Sequence, residues 1–329
     1  MENFQELFKK FSSIKVGIVG DVMLDTYMWG DVERISPEAP VPIVSLKNKD
    51  HRIGGAGNVA LNVQSLGAKA YVLSVTGDDD DADKLISLFT SQNINCNYCF
   101  RSKERITTNK TRVISRNQHM MRLDAEITND LCNEDQEKLV ELFEKFAEKE
   151  KPDVVVLEDY NKGVLTEAMI QVVISVCKEK GIVTTVDPKR KNFLQYKDVD
   201  IFKPNLKEVK DALNLLFSDV NLKLLQDIHN ELSHLLHHRI SLITLSEKGV
   251  FYEEGNKSAI LPSHLRNIAD VSGAGDTVIA VASLVYAATK DVHLMAEIAN
   301  IAGGLVCEEV GTIAIDKQKL LRECELLLS

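Results

Sequence analysis

The 329-residue sequence predicts an α/β fold: a doubly wound, mostly parallel sheet flanked by helices, with a small β-rich lid. Three observations lead there. Short β-branched runs (KVGIVG at 15–20, DVVVL at 153–157, SLITLS at 241–246) alternate with longer stretches of helical period. Several of these runs end on glycine or on acidic residues, and open α/β sheets bind ligands at the carboxyl ends of their strands. A proline-rich segment near residue 40 and an alternating stretch at 94–123 stand apart from that rhythm.

Composition narrows the class. Hydrophobic residues make up 44% and charged residues 27%, as in an ordinary globular chain. The net charge of -10, without a dense Lys/Arg block, argues against a nucleic-acid partner, so an anionic substrate would be held by a few local cations. The six cysteines (Cys96, Cys99, Cys132, Cys177, Cys307, Cys324) have no framework spacing. Cys96 and Cys99 form a C-x-x-C with no second pair nearby, which reads as packing thiols in a strand rather than zinc ligands. The opening MENFQELFKKF is amphipathic and lacks a signal peptide's apolar centre. The apolar run at 278–288 is too short to span a bilayer. A soluble, cytoplasmic protein with no membrane partner is expected.

Taken in order, residues 15–20 form the first buried strand, and Asp21 and Asp25 follow it. These carboxylates could accept hydrogen bonds from ligand hydroxyls, or Asp21 could cap a turn while Asp25 stays solvated. Residues 34–49 carry Pro37, Pro40 and Pro42 and then β-branched alternation, the mark of an edge segment or flap. Gly54 and Gly55 make a tight turn into a helix that bears Asn58 on its first turn and stops at Gly67. A strand at 70–76 leads to Asp78–Asp81, read as a helix cap rather than a metal cluster.

Residues 94–123 alternate like strands and are expected to complete a lid with 34–52. On one continuous strand Arg112, Arg116 and Arg122 would share a face, suited either to a phosphate or to protecting a solvated edge. A charged helix at 134–150 precedes the 153–157 strand, which ends in Glu158-Asp159-Tyr160-Asn161-Lys162-Gly163. A helix at 166–180, a strand at 182–186 and Asp187-Pro188-Lys189 follow. Pro204-Asn205-Leu206-Lys207-Glu208 is a capping-box relative at a helix start. The 241–246 strand ends at Ser246 and turns at Gly249, and a helix covers 298–308.

The stretch at 270–277, Asp-Val-Ser-Gly-Ala-Gly-Asp-Thr, is the one around which the chain is organised. The apolar run after it puts Gly273, Ala274, Gly275 and Asp276 at a helix N-terminus, where free amides and the macrodipole attract anions. Small residues let a phosphate come close. An acidic residue there needs its own task, and removing a proton from an attacking hydroxyl is the obvious one. The plain alternative is an ordinary capped helix start.

D-x-x-G-A-G-D-T resembles the C-terminal signature of the ribokinase-like (PfkB) sugar kinases, and G-G-A-G-N-V-A at 54–60 is similar to their N-terminal one. G-D-V-M-L-D, R-I-S-P-E-A-P-V-P and G-G-A-G-N-V-A-x-N, with S-R-N-Q around Arg116, resemble the branch of the family that acts on D-glycero-D-manno-heptose 7-phosphate. The resemblance implies one ribokinase-like kinase domain over 1–329, with lid segments at about 34–52 and 94–123. It implies ATP-dependent phosphorylation of the anomeric hydroxyl, on the route to ADP-heptose and the lipopolysaccharide core. Such kinases stand alone or fused to a nucleotidyltransferase, and only the kinase half is expected here.

In that reading Asp276 is the base, and Gly273, Ala274 and Gly275 line the anion hole. Asp21, Asp25, Gly54, Gly55, Asn58, Arg116, Asp159 and Lys162 meet the substrate. Asn205, Leu206, Lys207, Glu208, Ser246, Gly249, Gly273, Gly275 and Asn300 border the nucleotide. Glu208 holds Mg2+ through water, a monovalent cation such as K+ sits near Asp270, and a homodimer forms through the lid. Other members of the family, acting on fructose, ribose or another sugar phosphate, are the nearest alternatives. A dinucleotide-binding oxidoreductase would need G-x-G-x-x-G after the first strand, which is missing. A non-catalytic sugar sensor is disfavoured by the intact Asp276.

Overall fold

Apolar runs with β-branched residues on both sides assemble into a nine-stranded sheet in a computed structural model that describes residues 3–116 and 118–328. The chain begins with α1 (Phe4–Lys10) and β1 (Lys15–Gly20), then β2 (Val22–Ile35), β3 (Pro42–Gly55), α2 (Ala56–Ser65), β4 (Lys69–Gly77), α3 (Asp80–Ser91) and β5 (Asn95–Ser102). A hairpin, β6 (Asn109–Ser115) and β7 (Gln118–Ala125), precedes α4 (Asn133–Glu150), β8 (Val154–Glu158), α5 (Glu167–Lys180), β9 (Val183–Asp187) and β10 (Ile201–Phe202). The last part runs α6 (Leu206–Leu213), α7 (Leu222–Leu236), β11 (Ile240–Thr244), β12 (Val250–Glu254), β13 (Lys257–Leu261), α8 (Ala274–Thr289), α9 (Val292–Val306) and α10 (Lys317–Leu327).

The large sheet has the order β13-β12-β11-β10-β9-β8-β1-β4-β5, and only β12 runs against the others. Alternation along each strand divides the core. Val154 and Val156 face the side covered by α1, α2, α8, α9 and α10, while Val155 and Leu157 face α4, α5 and α7. Gly17 belongs to the second face because a Cβ there would lie 2.5 Å from the Phe146 ring. This two-sided burial is the doubly wound arrangement expected from the strand and helix rhythm. Among the described residues no helix is long and apolar enough to cross a membrane.

The second sheet is small, with the order β3-β2-β6-β7. Its make-up corrects two expectations. Residues 95–102 are not part of it: β5 pairs in parallel with β4 at the edge of the large sheet, where Tyr98 packs edge-on against Phe146. The small sheet instead takes in β2, which begins at Val22. Nor do the three arginines lie on one strand. Arg112 in β6 and Arg122 in β7 are direct cross-strand partners, and Arg116 occupies the turn between them with φ of 49°. Asp79 caps α3 by accepting from Ala82 N at 2.9 Å, as the cap reading of 78–81 expects.

Candidate active site

The carboxyl ends of β8, β9 and β10 converge on the N-terminus of α8. Gly273 is the residue before that helix, in the left-handed region at φ of 79°, and a Cβ there would meet Asn58 Nδ2 at 2.7 Å. Only glycine leaves Asn58 room to cross from α2. Ala274 N–H reaches Val271 O at 3.3 Å, whereas the amides of Gly275 and Asp276 have no acceptor among the described residues. The expected anion nest therefore rests most on Gly275 and Asp276, the first-turn donors that a helix leaves unsatisfied.

Asp276 is buried, and both carboxylate oxygens are held. Tyr160 donates its hydroxyl to Oδ1 at 2.6 Å and Asn58 Nδ2 donates to Oδ2 at 2.8 Å. Burial pushes its pKa up to about 6 even though both hydrogen bonds favour the ionised form. A carboxylate poised there can be ionised at neutral pH and still have some avidity for a proton. Oxygens of Glu158, Asp187 and Asp276 lie within 4.8 Å of one another. The three are not alike. Lys203 at 2.8 Å and Lys189 at 3.1 Å hold Asp187 below the usual carboxylate range despite its burial. Glu158 is fully buried, neither of its oxygens has a hydrogen-bond partner, and burial together with Asp187 and Asp276 pushes it well above that range.

On the side toward the small sheet, Asp25 is buried and paired with Arg112 at 2.6 Å, with Thr312 Oγ1 at 3.4 Å. A Cβ on Gly54 would come within 2.5 Å of Asp25 Oδ2, and one on Gly55 (φ of 60°) within 2.4 Å of Asp21 O. Those glycines let Asp25 sit against the turn. Arg52 and Arg112 also lie over the Tyr27 ring, 4.7 and 5.2 Å from its centroid.

Besides Asp25 and Asn58, three more residues expected at the substrate have protein partners. Asp21 accepts from the backbone amides of Tyr160 at 2.8 Å, Lys162 at 3.0 Å and Val164 at 3.0 Å. Asp159 is enclosed by Asn161 N, Asn192 and Tyr196. Lys162 turns to Glu126 at 2.7 Å. Two of the carboxylates thus brace the loop after β8, and the reason is local: a tight turn at a strand end has amides with no ladder partner. Tyr160 is the residue that the sequence reading passed over. An aromatic hydroxyl set among Glu158, Asp159 and Lys162 at a strand's carboxyl end was the available signal.

On the opposite flank the capping box is present: Asn205 Oδ1 accepts from Glu208 N at 2.9 Å, and Glu208 Oε2 accepts from Asn205 N at 2.8 Å. Glu208 Oε1 also pairs with Lys189 at 2.9 Å, which ties α6 to the end of β9. Leu206 and Lys207 open α6, and Ser246 lies in an exposed turn closed by Gly249 at φ of 93°. Asn300 donates to Pro262 O at 2.9 Å. Asp270 accepts from Ser272 N and Oγ and from Gly311 N at 2.9 Å, joining the loop before α8 to the loop after α9. Arg116 is exposed at the tip of the hairpin.

Residues 13–319 match the model of the pfkB family carbohydrate kinases. The chain is 39% identical over 313 residues to "Bifunctional protein HldE" of Methylobacillus flagellatus, covering 94% of this chain and 62% of that one. To the Helicobacter pylori protein of the same name it is 38% identical over 300 residues, covering 91% and 64%. It spans less than two thirds of the length of these relatives. Among solved structures, Escherichia coli phosphofructokinase-2 in complex with potassium superposes with a TM-score of 0.78 at 17% identity, covering 95% of this chain and 99% of that one. Arabidopsis thaliana ribokinase complexed with ribose and ATP gives 0.71 at 18%, covering 94% and 98%. Fold and sequence together define the class, an enzyme that moves a phosphoryl group onto a sugar hydroxyl. The chain belongs to the pfkB family of carbohydrate kinases.

Proposed function

We propose that this kinase uses ATP to phosphorylate the anomeric hydroxyl of D-glycero-β-D-manno-heptose 7-phosphate, giving the 1,7-bisphosphate on the way to ADP-heptose and the lipopolysaccharide core. The observation that carries the phosphotransfer reading is Asp276, a buried carboxylate with a pKa near 6 on the first turn of α8 beside two unsatisfied amides. The motifs around Asp21–Asp25, Pro37–Pro42 and Gly54–Asn62, similar to those of heptose kinases, support the choice of sugar.

Phosphoryl transfer is chiefly positioning and electrostatic stabilisation. In this reading Asp276 takes the proton of the sugar hydroxyl, and the amides of Ala274, Gly275 and Asp276 meet the charge on the travelling group. Asp25, Gly54, Gly55 and Asn58 shape the sugar side, and Arg116 on the hairpin reaches the substrate phosphate. Asp21, Asp159 and Lys162 act there through the loop that they brace.

The nucleotide lies along α6, the turn at 246–249 and Asn300. Mg2+ neutralises phosphate charge when bound. The carboxylates of Glu208 and Asp187 with the ammonium of Lys189 suit a metal polyphosphate, and Glu208 would hold the ion through water. A monovalent cation, K+ among others, would be held near Asp270. The protein works in the cytoplasm as a homodimer joined through the small sheet.

The test is ADP release with heptose 7-phosphate, fructose 6-phosphate, fructose and ribose, run with wild type and Asp276→Ala. Heptose 7-phosphate should be preferred and the variant nearly inactive. A clear preference for an unphosphorylated sugar sinks the choice of sugar, and wild-type turnover by the variant sinks the base.

A further inference from the structure

The loop after β8 delivers an unassigned hydroxyl to the base. Tyr160 Oη lies 2.6 Å from Asp276 Oδ1, opposite the Asn58 bond to Oδ2 at 2.8 Å. A carboxylate held on both oxygens by donors from different elements cannot rotate about its Cβ–Cγ bond. Tyr160 is itself held twice. Its amide donates to Asp21 Oδ2 at 2.8 Å, and Lys189 Nζ lies 5.4 Å from its ring centroid. Asp21 also fixes the next two turns of the loop through Lys162 N and Val164 N. So much anchoring of one short loop is out of proportion to a packing role for a single ring, since its hydroxyl bonds to Asp276 and to no other group among the described residues.

We propose that Tyr160 is a positioning residue for the phosphoryl-transfer base: its hydroxyl, placed by the Asp21 brace, fixes the plane of the Asp276 carboxylate and stabilises its ionised form. This rests on the reading of Asp276 as the base. The other titratable groups facing that carboxylate are Asp187, Glu158 and Lys189, with Lys203 beside Asp187. None of them donates a hydrogen bond to it, so among the described residues Tyr160 is the one ionisable donor whose removal acts on it directly. Burial keeps the phenol far above its ordinary range, so it remains a donor throughout the working pH.

Because a donor favours the charged form of its acceptor, loss of the Tyr160 hydroxyl raises the pKa of Asp276. Hydrogen bonds to charged groups are strong enough to move it by about one unit. The experiment is the pH dependence of kcat/KM between pH 5 and 9, by ADP release with ATP and heptose 7-phosphate, or with whichever sugar of the panel is turned over. Tyr160→Phe should move the acid limb up by about one unit, with KM for ATP unchanged. Replacement of Tyr160 by 3-fluorotyrosine, a stronger donor of the same shape, should move it down. If the acid limbs of both coincide with that of wild type, the proposal is overturned, however far kcat has fallen. Asp276→Ala in the same series separates the two ideas: turnover by that variant refutes the base itself, whereas an inactive Asp276→Ala with an unmoved Tyr160→Phe limb refutes only the role of Tyr160.

Discussion

Asp276→Asn should give a protein that is more stable than wild type at pH 7.5 and nearly inactive. The carboxyl titrates near 6 in the folded protein against an ordinary value of 3.8, a rise caused by its burial. Between those values the native state binds a proton that the unfolded chain has released, so this group's contribution to stability falls as pH rises from about 4 to 6. Above pH 6 the full cost of burying the charge is present, about 2 units or about 3 kcal/mol. The amide removes that cost and keeps both contacts, since its oxygen can accept from Asn58 Nδ2 and its NH2 can face the Tyr160 oxygen. For a chain of this length, about 3 kcal/mol corresponds to a rise in Tm of about 4 °C. The assay is urea or thermal denaturation of the two proteins from pH 4 to 8. The stability difference should be largest above pH 6.5 and vanish near pH 4, while turnover falls by about 100- to 10,000-fold. A variant that is less stable than wild type at pH 7.5, or a difference that does not change with pH, would refute the electrostatic account.

Other perturbations test the walls of the site. Gly54→Ala drives a methyl to 2.5 Å from Asp25 Oδ2, so it should cost about 1–3 kcal/mol in urea denaturation and raise KM for the sugar while leaving that for ATP alone. Among the described residues, Arg112→Met leaves the buried Asp25 carboxylate with only the long Thr312 contact, a loss of about 3–5 kcal/mol; adding Asp25→Asn should recover most of it, and a double-mutant cycle showing no coupling would contradict the pair. Away from the site, Ser241 Oγ lies between His229 Nδ1 at 2.8 Å and His238 Nε2 at 2.7 Å, and burial pushes His238 down to about 3. The unfolded chain takes up a proton below about pH 6.5 that native His238 refuses. About 3 kcal/mol should therefore be lost by pH 4.5, and His238→Gln should flatten that acid loss in a denaturation series.

The large sheet could be read from the chain because its strands carry their signal locally. Val154 to Leu157 is apolar at every position, as a strand covered on both faces must be, and Asn205 to Glu208 spells out its own cap. What could not be read is which sheet a strand joins. Residues 95–102 alternate much as a lid strand would, and only Tyr98 packing on Phe146 and Tyr71 settles β5 at the edge of the large sheet. The same limit applies to carboxylates. Asp21 and Asp25 look interchangeable in G-D-V-M-L-D. Yet Asp21 precedes β2 and turns to the amides of the loop after β8, while Asp25 lies within β2 and meets Arg112 across the small sheet. Neither partner is near in sequence.

That separation also explains how one carboxylate among several comes to titrate near neutrality. Glu158, Asp187 and Asp276 are brought together by strand and helix ends, and three charges so close in a buried place would repel one another strongly. The fold resolves this unequally. Asp187 is given two lysines and stays ionised, while Glu158 is given no partner and keeps its proton. Asp276 is given two neutral donors, enough to be ionised at pH 7 without being neutralised by a cation. A lysine in place of either donor would pair with Asp276 and depress its proton affinity. Asn58 and Tyr160 orient the carboxylate without cancelling its charge, which is what the proposed role as base requires.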